Sequence, residues 1–129
     1  KRTDISVTLD LDNNLGRLPE TIELSIFRIV QEGLSNVRKH ADASDVMISL
    51  NHTTPRTLLL SIADNGTGLV EGFELSNLPP EGHYGLLGIS ERVALLGGRV
   101  QFQNQADGGL LIQAEIPHPR VAQNNDGQS

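Results

Sequence analysis

"TLLLSIADNGTG" (residues 57–68) is an apolar run that the chain leaves through an aspartate, an asparagine, a threonine and two glycines. The run is apolar at positions of both parities: Leu58, Leu60 and Ile62 on one, Leu59 and Ala63 on the other. A strand of that kind belongs in the middle of a sheet. Its exit poses the question. One reading of "DNGTG" is a plain turn. The other is that Asp64 holds a ligand in a pocket, while Gly66 and Gly68 let that ligand come close to the backbone.

Working outward, "DVMISL" (45–50) alternates Val46, Ile48 and Leu50 and reads as a strand, and "TPR" (54–56) turns it into the central strand. Further upstream, "ISVTLDL" (5–11) alternates Ile5, Val7, Leu9 and Leu11, the pattern of a half-buried strand. "DNNLGR" (12–17) carries turn chemistry, and Pro19 suits a first helical turn. Ile22, Ile26, Ile29, Val30, Gly33, Leu34 and Val37 recur at helical spacing and predict a long helix over 20–41. Downstream, 65–84 has no regular period. "LLGISERVALLGG" (86–98) reads as a helix ending at Gly97 or Gly98. "RVQFQNQ" (99–105) and "LLIQAEI" (110–116) read as a hairpin closed by "ADGG". The order is strand, helix, two strands, loop, helix, two strands. It predicts an α+β fold with a mixed, mostly antiparallel sheet and helices on one face. The domain is expected over 1–117, with "HPRVAQNNDGQS" (118–129) as a disordered polar tail.

Composition bounds the function. A chain of 129 residues with 37% apolar content supports one domain, and with 3% aromatics its core must be Leu, Ile and Val. A net charge of −6 argues against nucleic acid as partner. The absence of cysteine excludes disulfides and cysteine-based zinc sites and is compatible with a reducing compartment. No apolar run approaches the roughly 20 residues of a membrane helix, so direct membrane contact is not expected. No signal peptide is visible. The opening "KRTDISV" reads as the interior of a longer chain.

Two stretches could carry chemistry. "QEGLSNVRKHA" (31–41) sets Glu32 and Asn36 four apart, with Lys39 and His40 one turn on. The plain alternative is a solvated helix face. Against it, Asn36 is a weak mid-helix residue and Gly33 costs about 1 kcal/mol relative to alanine. An asparagine oxygen suits Mg²⁺, and a glutamate can hold or deprotonate a water. In "GHYGLLGIS" (82–90), Gly82, Gly85 and Gly88 lead into a helix, an arrangement that offers N–H groups to phosphate. The alternative is a flexible loop. Neither a P-loop nor a dinucleotide fingerprint occurs. His40, His52, His83 and His118 are scattered and show no metal spacing.

Taken together and in order, "FRIVQEGLSNVRKHA", "DNGTG" and "GHYGLLGISERV" resemble the asparagine box and the first and second glycine boxes of sensor histidine kinases. The wording is most similar to the nitrate/nitrite and hexose-phosphate sensors. The resemblance covers nearly all of 5–117. It implies the Bergerat-type two-layer α/β sandwich of the GHKL ATPases, which gyrase and the MutL repair protein share. It also implies roles. Asp64 would accept a hydrogen bond from the adenine amino group, with Gly66 and Gly68 clearing space. Asn36 would coordinate Mg²⁺, and Glu32 would position or polarise a water near the γ-phosphate. Lys39 and His40 would contact phosphates, and Gly85, Leu86, Leu87 and Gly88 would present backbone N–H groups. Residues 69–84 would form an ATP lid.

The implied activity is that of a protein-histidine kinase catalytic domain using ATP. Its partners would be a dimerisation domain bearing the acceptor histidine in an "ELHD"-like setting, and a response regulator. Such a domain would be cytoplasmic, in a parent that could be an inner-membrane sensor. No "ELHD"-like segment occurs in this sequence, so no self-labelling is expected. One departure concerns Leu110, where family members often carry a threonine that supports an adenine-bound water. The alternatives are a serine/threonine kinase of the anti-sigma-factor type and a degenerate nucleotide-binding regulatory module.

Overall fold

A computed structural model describes residues 4–13, 15–69 and 84–118. The elements are β1 (Ser6–Leu11), α1 (Glu20–Asn36), a π-helical turn (Val37–Ala41), β2 (Asp45–Thr54), β3 (Thr57–Asp64), α2 (Tyr84–Leu95), β4 (Arg99–Asn104) and β5 (Leu110–Pro117). The sheet order is β1-β2-β3-β5-β4, which puts β3 at the centre. β1 pairs with β2 in parallel, and the other pairings are antiparallel. A parallel pair needs a crossover, and α1 supplies it. The mixed, mostly antiparallel α+β sheet expected from the sequence is therefore the fold.

Alternate residues of the inner strands form the core. Leu58, Leu60 and Ile62 of β3 and Leu110, Ile112, Ala114 and Ile116 of β5 share one buried cluster with Ile22, Ile26 and Ile29 of α1 and Leu86, Ile89 and Val93 of α2. A side chain such as Ile29, fully buried, stabilises the fold by about 1.5–3 kcal/mol. The other parity of β3 and β5 is only half-buried, so the helices cover one face. Leu59 thus lies in a central strand on an open face.

Three local features differ from the sequence-based expectation. First, Gly33 serves packing: a Cβ there would lie 2.8 Å from Ile62 Cδ1, so the glycine brings α1 down onto β3. Second, the helix does not stay α-helical to 41. It widens into a π turn at Val37 and leaves through Asp42, whose φ of 52° is left-handed. Such turns concentrate at functional positions. Third, β1 is exposed rather than half-buried. Val7, Leu9 and Leu11 are 46%, 62% and 51% exposed. They lie in register with the buried Val46, Ile48 and Leu50, so they extend the core face past the helical layer along a sheet edge.

The far end of the sheet is closed by histidines that look scattered in the sequence. The Nε2 atoms of His52 and His118 are 3.2 Å apart. The His118 N–H donates to the Arg56 carbonyl at 3.0 Å, and His118 is buried. His118, which the sequence assigns to the tail, thus packs against the end of the sheet. Residues 119–129, read as a tail, lie outside the described residues. Among the described residues, no helix is long and apolar enough to cross a membrane.

Candidate functional site

The end of the sheet where β3 exits gathers segments that are distant in sequence. The π turn after α1 leads within a few residues into β2, whose start is tied to the "DNGTG" turn by Asn65. Asn65 Oδ1 accepts the N–H groups of Ser44 at 2.9 Å and Asp45 at 3.0 Å. Its Nδ2 donates to Ser44 Oγ at 3.0 Å and Asp45 Oδ2 at 3.2 Å. Both donors and both lone pairs of the amide are in use. Asn65 has no role assigned to it by the sequence motifs. Its position between Asp64 and Gly66, in a turn beside a strand start, was the available signal.

Asp64 is buried, at 4% exposure. A carboxylate taken out of water needs hydrogen bonds. Asp64 Oδ1 accepts two, from the backbone N–H of Gly66 at 2.8 Å and of Leu110 at 3.2 Å. Among the described residues, Oδ2 accepts none. One oxygen is fixed by the backbone, and the other is open to a further donor. The Leu110 departure takes a different form here. The Leu110 side chain is buried in the core, and its N–H does the bonding. A backbone donor does not depend on the side chain at that position.

The tip of the β4–β5 hairpin presses on the same turn. Gly109 has φ of +98°, and a Cβ there would overlap the Asp64 carbonyl oxygen. The "GG" of 108–109, read from sequence only as turn chemistry, is therefore a requirement of close approach.

A second cluster joins the two helices. A Cβ on Gly85 would lie 3.4 Å from Glu32 Oε1 and 3.8 Å from Asn36 Cβ, and one on Gly88 would lie 3.7 Å from Glu32 Oε2. The two glycines make room for the Glu32 carboxylate between α1 and α2. Asn36 is buried, at 5% exposure. Gly85, Leu86 and Leu87 follow Tyr84 in the first described turn of α2. Gly88 follows one residue on, beside the Glu32 carboxylate. Leu86 points into the core. Lys39 is exposed on the π turn. The His40 side chain and residues 70–83, where most of the expected lid falls, lie outside the described residues.

The arrangement defines a class of protein. It is a two-layer α/β domain with a buried acid at the exit of its central strand and a glycine-bearing helix start beside an Asn–Glu helix. The chain belongs to the family described as "Histidine kinase-, DNA gyrase B-, and HSP90-like ATPase", which matches residues 21–120. It is 38% identical over 101 residues to the signal transduction histidine-protein kinase/phosphatase DegS of Brevibacillus brevis, covering 78% of this chain and 25% of that protein. It is 32% identical over 127 residues to the nitrate/nitrite sensor protein NarQ of Escherichia coli, covering 98% of this chain and 21% of that protein. Among solved structures, a blue-light activated histidine kinase of Erythrobacter litoralis matches with a TM-score of 0.73 and 25% identity, over 91% of this chain and 36% of that one. The chain is a catalytic ATPase domain of the sensor histidine kinase type that NarQ and DegS represent. It spans a quarter or less of the length of those two relatives.

Proposed function

We propose that this domain binds ATP with Mg²⁺ and donates the γ-phosphoryl group to a histidine on a helical dimerisation domain, for onward transfer to a response regulator. The observation that carries the reading is Asp64: a buried carboxylate with one oxygen held by two backbone N–H groups and the other left to accept. An exocyclic amino group on a purine is a donor of the right kind. A neutral acceptor at this depth would not need two backbone donors to hold it.

The second cluster suits the phosphates. The first turn of α2 offers N–H groups and the positive end of a helix dipole to an anion. Lys39 adds a cation at the end of α1, and His40 stands beside it in the sequence. The Asn36 amide and Glu32 carboxylate are hard oxygen donors. Among the described residues no three His, Asp or Glu side chains cluster as a metal cage. That fits Mg²⁺, which takes one or two protein ligands and fills the rest with phosphate oxygens and water. When bound, Mg²⁺ supplies neutralisation of phosphate charge. Asn36 would hold it through the amide oxygen. Glu32 would orient a water near the γ-phosphate. In the transfer, an imidazole nitrogen of the acceptor histidine forms a bond to phosphorus as the bond to the ADP oxygen breaks. This domain contributes position and electrostatics rather than a covalent partner. In the parent sensor the domain would face the cytoplasm.

The test is calorimetric titration with a non-hydrolysable ATP analogue, with and without Mg²⁺, followed by labelling with radioactive ATP. Magnesium-dependent binding is expected, with label appearing only after a separate helical domain bearing the acceptor histidine is added. Absence of binding at millimolar nucleotide overturns the reading. Robust self-labelling of the isolated chain on a histidine overturns the division of labour.

A further inference from the structure

The turn that carries Asp64 is held at both ends by two consecutive residues at the end of a different strand, Asn104 in β4 and Gln105 just after it. Asn104, the last residue of β4, bonds Leu69 twice: Oδ1 accepts the Leu69 N–H at 2.6 Å and Nδ2 donates to the Leu69 carbonyl at 3.0 Å. One amide side chain thus makes both bonds that a strand partner would make. Gln105 holds the other end, its Nε2 donating to the Asp64 carbonyl at 2.8 Å. The Gln105 backbone is itself fixed in the hairpin tip, its N–H donating to the Gly109 carbonyl at 2.9 Å and its carbonyl accepting from Gly108 at 3.1 Å. Gly68 fits this scheme. At φ of +77° it carries the turn, and a Cβ there would lie 2.5 Å from Asn104 Oδ1. The glycine admits the clamp as much as it clears space for a ligand.

The bonds to Leu69 are exposed. Exposed hydrogen bonds compete with water and add little to global stability. Their consequence is local: they fix where the turn lies. Asp64 Oδ1 is bonded to Gly66 N–H inside this turn, so a displaced turn also displaces the free oxygen Oδ2. We propose that Asn104 and Gln105 are positioning residues that set the Asp64 carboxylate for an amino-bearing purine, and so determine base selectivity. This rests on the nucleotide reading of Asp64.

The experiment compares ATP with inosine triphosphate, which carries a carbonyl oxygen where adenine carries its amino group. Dissociation constants for both, with Mg²⁺, are measured by calorimetry on residues 1–129 and on N104D, Q105E and Q105A. N104D and Q105E replace one NH₂ by oxygen, so shape is kept, and thermal unfolding confirms the fold. Their added negative charge weakens both nucleotides alike and cancels in the ratio. The unaltered chain is expected to prefer ATP. Each variant is expected to lose about three- to tenfold in ATP affinity, the equivalent of one hydrogen bond, with a smaller loss for inosine triphosphate. The preference then narrows. If the unaltered chain prefers ATP and the variants keep that preference in full, the positioning role is overturned while the nucleotide reading stands. If the unaltered chain binds neither nucleotide, both fall together.

Discussion

The central strand β3 ends in two ways. At its Thr57 end the polar groups answer one another: the Arg56 carbonyl takes the His118 N–H, and the His52 and His118 rings share a hydrogen bond. At its Asp64 end backbone and side-chain groups also converge, from Gly66, Gln105 and Leu110, yet one carboxylate oxygen takes no bond from the described residues. The first end is closed on itself. The second is built to a comparable standard and stops one bond short. A buried polar group that the fold could have satisfied and did not is a mark of function. The difference separates two kinds of polar cluster, one whose described groups answer one another and one that leaves a buried oxygen open.

The largest expected effect tests how tightly the open end is built. Gly109→Ala places a Cβ on the Asp64 carbonyl at a residue with φ of +98°. Backbone strain and overpacking together predict a loss of about 3 kcal/mol or more in stability. Guanidinium denaturation measures it, and a loss under about 1 kcal/mol would mean that the hairpin tip is free to retreat. The next effect is on binding alone. Asp64→Asn retains an oxygen for the N–H groups of Gly66 and Leu110 but puts an NH₂ where Oδ2 stood. Donor then faces donor, and ATP affinity is expected to fall by about 1–3 kcal/mol with little change in the denaturation midpoint. Equal losses in stability and affinity would make Asp64 a structural residue like those at the other end.

The sequence carried the fold because apolar periodicity and turn residues report burial directly. The inner strands, both helices and the hairpin follow from them. It singled out Asp64, Asn36 and Glu32 because their order matches a known set of motifs, and the structure shows Asp64 and Asn36 buried. It did not carry the contacts between segments. Asn65, Asn104 and Gln105 are polar residues near turns, and only the sheet order β3-β5-β4 brings the last two to the Asp64 turn. Gly33 stood out only as a costly residue in a helix, and the structure shows what it does there: it seats α1 on Ile62. The exposure of β1 was illegible for a related reason: alternation shows which face is apolar, not whether anything covers it.

The smallest expected effect concerns the closed end and checks that it is only that. His52→Ala removes one partner of the ring pair and leaves His118 its N–H bond to Arg56. A hydrogen bond of this type contributes about 0.5–1.5 kcal/mol net, so the stability loss should be near 1 kcal/mol. Nucleotide affinity should change by less than about twofold. The reason is distance and rigidity. The eight residues of β3 span about 23 Å at the usual rise, well beyond the reach of a local rearrangement. β3 is paired along its length with β2 on one side and β5 on the other, so it is a poor candidate for an element with two arrangements. Coupling over such a span requires a bistable element. Paired measurements of the denaturation midpoint and the ATP dissociation constant decide the matter. A fivefold or greater change in affinity from His52→Ala would show that the two ends of β3 communicate, and the distinction between a finished end and a waiting one would have to be given up.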